Sequence, residues 1–258
     1  MHASVVIDCF PDSVQRYREG YAIVVIDVVR ATTTAVSAVA MGRQCFPVPS
    51  LEASLHLAAK LDNPLMVGEL EGKMPDGFDM NNSPAELAMR MDISRPMILL
   101  SSTGTKLICQ ARECDAAYLA CFRNYASLTA YLVRRHPKVA VIGAGSRGEF
   151  REEDQMCCAW IAEGLMKAGY DPQDDRTVEI VERWNGAPLD AFAGNKSVDY
   201  LRRSGQLKDS EFILAHVNDL NDTFMVRHDQ IVMVPEEKQN RVRFAASEPR
   251  RESEDVSH

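Results

Sequence analysis

An aspartate and an arginine stand three residues apart where an uninterrupted apolar run gives way to a threonine-rich segment: Ala22-Ile23-Val24-Val25-Ile26-Asp27-Val28-Val29-Arg30-Ala31-Thr32-Thr33-Thr34. Continuous Val/Ile runs read as strands buried on both faces of a parallel sheet. Ligands of such sheets sit beyond the carboxyl ends of the strands, where Asp27 and Arg30 emerge. A charge there is either paired locally, Asp27 with Arg30, or directed at something charged.

Three further junctions carry polar chemistry. The acid-rich loop 69–82 brings Glu69, Glu71, Lys73, Asp79 and Asn82, and Ser83 follows as a helix cap, with Pro84 and Glu86 completing a strong helix start. Ser101-Ser102-Thr103-Gly104-Thr105 leads from a strand into a helix, whose free N–H groups and dipole favour an anion. Gly143-Ala144-Gly145-Ser146-Arg147-Gly148 formally matches G-x-G-x-x-G after a strand, the mark of an NAD(P)-binding oxidoreductase. Against that reading, Glu152, Glu153 and Asp154 crowd the next helix start, bulky Phe150 and Arg151 follow the third glycine, and no strand-end acid lies about 20 residues on.

Acids beside an anion site make chemical sense with a divalent cation between them. Mg²⁺ takes oxygen ligands and joins one or two carboxylates to a phosphate. Asp27, Glu69, Asp79 and Asp154 are the candidate metal ligands, and Arg30, Lys73 and Arg147 the cations. Asn82, Ser83, Ser102, Thr103, Gly104, Thr105, Gly145 and Arg147 are the candidate phosphate-binding set, and Asp27, Arg30, Lys73 and Asp154 the catalytic one. This is the equipment of phosphoryl transfer or phosphate-ester hydrolysis. A non-catalytic protein that binds phosphorylated metabolites would carry the same anion-binding groups.

The elements that must position these residues alternate along the chain. Strands are predicted at 22–26, 45–48, 65–68, 96–100, 116–120 and 138–142, and helices over 31–41, 51–61, 84 onward, 104 onward, 125–135 and 152–168. The class is therefore α/β, a three-layer α/β/α arrangement with a mainly parallel or mixed sheet. Parallel-sheet geometry places all four junctions on one edge. The later part is less legible: a strand at 178–181, a helix over 197–204 and a final strand at 231–234. One α/β domain is expected over 1–245, with 136–145 as the place where two subdomains would divide, and a mobile charged tail over 246–258.

The 258 residues suffice for a sizeable core, and 46% are hydrophobic and 26% charged. A net charge of −8 argues against nucleic acid as a partner, and no apolar run approaches a membrane span. Nothing near Met1 resembles a secretory signal. The seven cysteines are odd in number and lack C-x-x-C spacing, so they read as buried thiols of a cytoplasmic protein. The six histidines show no metal-ligand spacing. A homodimer is expected for an α/β enzyme of this size.

Taken in order, V-V-I-D-V-V-R-A-T-T-T (24–34), G-E-L-E-G-K-x-x-x-G-F-D-M-N-N-S-P-x-E (68–86), S-S-T-G-T-K (101–106) and G-A-G-S-R-G-E-F-x-x-E-D (143–154) resemble the 2-phosphosulfolactate phosphatase family. The resemblance implies Mg²⁺-dependent hydrolysis of phosphosulfolactate to sulfolactate and phosphate, a step of coenzyme M biosynthesis. It carries over Asp27, Arg30, Glu69, Lys73, Gly77, Phe78, Asp79, Asn82, Ser83, Gly104, Thr105, Gly145 and Asp154. Two positions depart from the family pattern: Thr103 stands where asparagine is usual and Asn81 where glycine is common. Asp27 is either a phosphoryl-accepting nucleophile or a metal ligand. Haloacid-dehalogenase-type phosphatases place a second acid two residues after the nucleophile, and Val29 occupies that position here, so the ligand role is favoured. Lys73 and a metal-bound water are both candidates for the general acid.

Overall fold

A computed structural model describes residues 2–235; the tail expected at 246–258 lies outside them. In chain order the elements are β1 (Ser4–Cys9), a 3-10 segment (Pro11–Tyr17), β2 (Ala22–Ile26), α1 (Ala31–Ala40), β3 (Cys45–Val48), α2 (Leu51–Ala58), β4 (Leu65–Gly68), α3 (Pro84–Ala88), β5 (Met97–Leu100), α4 (Gly104–Ala111), β6 (Ala116–Ala120), α5 (Tyr125–Leu132), β7 (Lys138–Gly143), α6 (Glu152–Lys167) and β8 (Asp171–Pro172). Then come α7 (Asp175–Trp184), α8 (Lys196–Arg203), α9 (Leu207–Ala215), β9 (Phe224–Arg227) and β10 (Gln230–Met233).

All the strands join one sheet in the order β4-β5-β3-β10-β9-β6-β2-β7-β1-β8. The side chains of β2 alternate between its two faces as strand geometry requires. Ala22, Val24 and Ile26 join a core built with Met156, Ile161 and Leu165 of α6. Ile23 and Val25 join a second core with Ala35 and Val36 of α1 and Leu107 and Ile108 of α4. Helices on both faces make the three layers. A smaller cluster of Val48, Met66, Phe78, Ile98 and Leu100 lies under α2. Among the described residues, no helix is long and apolar enough to cross a membrane.

The sheet differs in one respect from the parallel edge expected from sequence. β3, β4 and β5 are mutually parallel, as are β6, β2, β7, β1 and β8. Between these groups lies the β9–β10 hairpin, antiparallel to β6 on one side and to β3 on the other. The two groups therefore run in opposite senses along the ladder. The loops after β4 and β5 nevertheless line one cavity with the loops after β2 and β7.

The residues predicted as a strand at 178–181 form part of α7. The β-branched content suggested a strand, but the buried positions are Thr177, Ile180, Val181 and Trp184, the spacing of one helix face. Asp174 caps this helix by accepting the Thr177 N–H at 2.8 Å.

Candidate active site

A cavity of about 440 Å³ opens where the two strand groups converge. Of the residues singled out in the sequence, Asp27, Arg30, Glu69, Asn82, Ser102, Thr103, Gly145, Arg147 and Asp154 line it. Helix starts surround it: Arg30, Thr103 and Arg151 are the N-caps of α1, α4 and α6, and Lys196 opens α8. The positive ends of four helix dipoles thus bias the cavity toward anions.

Two buried carboxyls form its floor. Asp27 follows β2, and its carboxylate accepts a hydrogen bond from the Ala31 backbone at the start of α1. Asp154 lies in the first turn of α6 and accepts from the Val28 N–H at 2.8 Å and the Gly145 N–H at 3.4 Å. Asp154 is thereby tied to the loop that carries Asp27. Burial raises the Asp27 carboxyl from 3.8 to about 7, Glu69 and Glu153 pushing the same way and Arg30 opposing. Burial, then the charge of Asp27, holds Asp154 well above the ordinary carboxylate range. Gly104 leaves room for this centre: a Cβ there would stand 2.0 Å from Asp27 Oδ2.

The loops around the floor brace one another. The Glu69 carboxylate accepts from the Ser102 N–H at 2.8 Å, the Ser102 hydroxyl at 3.0 Å and the Gly72 N–H at 2.6 Å. The Thr103 hydroxyl donates to the Gly145 carbonyl at 2.8 Å and joins the loop after β5 to the loop after β7. Because Gly145 spends its N–H on Asp154, the G-x-G-x-x-G segment cradles a carboxylate of its own chain. This weighs against the dinucleotide reading.

Other predicted residues fall elsewhere. Asp79 is exposed outside the cavity, where it accepts from the Met66 N–H at 2.8 Å and pairs with Arg95 at 3.0 Å. Its position corrects the expected ligand set, since those contacts secure the acid loop against β4. Lys73 is exposed and lies outside the lining, which removes its ammonium from the floor. Ser83 caps α3 through the Glu86 N–H at 3.1 Å, and its hydroxyl donates to Asp209 at 2.6 Å. Thr105 exchanges hydrogen bonds with Ser101 and shapes the entry to α4. Gly77 and Phe78 are also outside the lining; Phe78 packs under α2.

Arg30 does not close locally on Asp27. Its guanidinium pairs with Asp209 of α9 at 2.5 Å and also donates to Gln206 and, at 3.2 Å, to Asn81. Sequence reasoning missed Asp209, and with it the cavity wall made by Lys196, Ser197, Tyr200, Leu201 and Arg203 of α8. The Tyr200 hydroxyl donates to the Gly72 carbonyl and ties α8 to the acid loop. Glu153 was passed over too: it is buried, its pKa is raised by burial, and the Asn195 amide donates to it at 2.6 Å. Asn195 caps α8, so this bond holds α8 against α6. The helix predicted over 197–204 is α8, but nothing in the local pattern tied α8 or α9 to the cavity.

The donor chemistry suits a hard cation. Asn82 is 2% exposed, lines the cavity, and its Oδ1 has no hydrogen-bond partner. Together with the mutually repelling Asp27 and Asp154 it supplies oxygen donors only. Among the described residues no three His, Cys, Asp or Glu side chains gather as a ligand set. Mg²⁺ needs no such trio, because it is commonly held by one or two carboxylates with substrate phosphate and water. The residues present therefore fit Mg²⁺.

A family model described as 2-phosphosulpholactate phosphatase matches residues 9–227. The chain belongs to that family. Among the relatives of this phosphosulpholactate phosphatase family, a probable 2-phosphosulfolactate phosphatase from Symbiobacterium thermophilum is 34% identical over 226 residues, 83% of this chain and 95% of the relative. A protein of the same name from Pseudothermotoga lettingae is 36% identical over 138 residues, and the match covers 54% of this chain and 59% of the relative. A third from Clostridium beijerinckii is 24% identical over 222 residues, 85% of this chain and 90% of the relative. The family match runs from Cys9 to Arg227 and so includes the poorly legible third that supplies α8 and α9.

Proposed function

We propose that the protein is a Mg²⁺-dependent phosphatase that hydrolyses a small phosphate ester carrying further acid groups, with 2-phosphosulfolactate as its substrate. One observation carries this reading: two buried carboxyls, Asp27 and Asp154, face helix N-termini and Arg30 within one cavity. The names of the curated relatives support the substrate.

The helix starts and the guanidinium of Arg30 bind the phosphoryl oxygens and orient the ester. Asp27, Asp154 and the Asn82 amide oxygen would hold Mg²⁺, which supplies neutralising charge at the phosphoryl group and acidifies a bound water. Arg147, Arg151, Lys196 and Arg203 line the same cavity in a chain of net charge −8. With Arg30 they equal in number the acids of the lining, Asp27, Glu69, Glu71, Glu149 and Asp154, so the cavity offers cationic partners for a carboxylate or sulfonate beside the phosphate although its lining is not net positive.

The test is phosphate release from 2-phosphosulfolactate and a panel of other phosphate esters, with Mg²⁺ and with EDTA. Release that depends on Mg²⁺ and falls by about a hundredfold or more in Asp27→Asn, with the fold retained, is expected. Absence of phosphate release from every ester with any divalent cation would overturn the proposal.

A further inference from the structure

Arg30 approaches the cavity from a buried setting. Its side chain is 4% exposed, and that of its partner Asp209 is 1% exposed. Nη1 donates to both Asp209 and Gln206, and Nη2 donates to Asn81. Of the five guanidinium hydrogens this leaves the Nε–H and one Nη2–H uncommitted. Those two donors form one edge of the planar group and match two oxygens of a phosphoryl group in a bidentate pair.

Asp209 is itself held at both oxygens. Oδ2 takes Arg30, while Oδ1 accepts the Ser83 hydroxyl at 2.6 Å and the Ala85 N–H at 3.2 Å. The carboxylate is thus fixed to the start of α3 and fixes the guanidinium in turn, across 179 residues of sequence. A free arginine would carry several rotatable bonds into the cavity; this one presents a fork whose plane is set by its acceptors. Asp209 lies outside the cavity lining, so it reaches substrate only through Arg30.

We infer that Asp209 is a positioning residue, whose bond to Arg30 Nη1 aims the Nε/Nη2 edge at the phosphoryl group. The inference rests on the phosphatase reading. It assigns part of substrate recognition to α9, the helix least visible in the sequence.

The test is a double-mutant cycle with two readouts, kcat/KM for phosphate release and the Kd of inorganic phosphate measured by calorimetry. Asp209→Asn keeps the shape and removes the charge, and should lower kcat/KM and weaken phosphate binding, each by about tenfold or more. In an Arg30→Lys background, which keeps a cation and lacks the fork, the same change should cost less than about twofold. A purely structural role would lower the melting temperature while leaving kcat/KM and phosphate binding unaltered. If Asp209→Asn fails to fold, Gln206→Ala removes the other Nη1 acceptor and should give a smaller loss that again vanishes beside Arg30→Lys. Equal losses in both backgrounds, or values within twofold of wild type, would overturn the inference. A wild-type chain that neither hydrolyses esters nor binds phosphate removes the phosphatase reading and this inference together; an active wild type with an unaffected variant removes this inference alone.

Discussion

The Asp27 carboxyl sets opposing demands on stability and function. Its folded-state value of about 7 exceeds the ordinary 3.8, so the folded protein holds this proton more tightly than the unfolded chain does. Its contribution to stability is complete below about pH 4 and is lost as pH rises through 7. In EDTA, the melting temperature should therefore fall between pH 5 and pH 8. Asp27→Asn should flatten that fall and melt higher than wild type at pH 8 while releasing no phosphate; a variant as pH-sensitive as wild type would contradict the assignment. Gly104→Ala tests the same centre sterically. A methyl group directed at Asp27 Oδ2 from 2.0 Å must displace the carboxylate. The expected cost is about 1–3 kcal/mol in denaturant unfolding, with a larger proportional loss of activity. Much of this centre was legible because strand ends and helix starts have local signatures. Asp27, Asn82, Gly104 and Asp154 each sit at such a junction. Asp79 and Lys73 were misplaced because charge in a long loop says nothing about which way a side chain faces.

The elements show where local reading runs out. Strands such as Cys45–Val48 and Ala116–Ala120 match their predicted bounds, since short buried apolar runs between polar segments leave little choice. In α7 the same residue types mislead, because the helical spacing of Thr177, Ile180, Val181 and Trp184 outweighs β propensity. Asp174→Ala should destabilise the protein by about 1 kcal/mol through loss of that cap, with activity unchanged. α9 carries apolar residues enough to pack, but its tie to the cavity runs through long-range contacts of Gln206 and Asp209 with Arg30, which no local pattern announces. α8 acts through its wall position. Tyr200→Phe removes the bond to the Gly72 carbonyl, where the backbone has φ of 85° and no side chain would fit beside the ring. KM should rise about three- to tenfold with kcat nearly constant, the kinetic mark of a looser binding wall. A fall in kcat alone would place Tyr200 in the chemistry instead.

For the molecule as a whole, the decisive element is the β9–β10 hairpin. Its strands come last among the described elements but stand in the interior of the sheet, joining β6 to β3. Phe224 and Ile231 bury there beside core residues of both strand groups. A chain ending at residue 222 should lose cooperative unfolding, as read by circular dichroism and calorimetry, because two inner edges and a core seam open together. The two halves of the cavity belong to the two strand groups, so their alignment depends on this seam. During synthesis the order matters in another way. Each set of parallel strands leaves the ribosome with one flank bare, and neither can be sealed until the final hairpin emerges. A nascent chain paused shortly before that point displays two sticky borders, the kind of surface that recruits chaperones or a neighbouring chain.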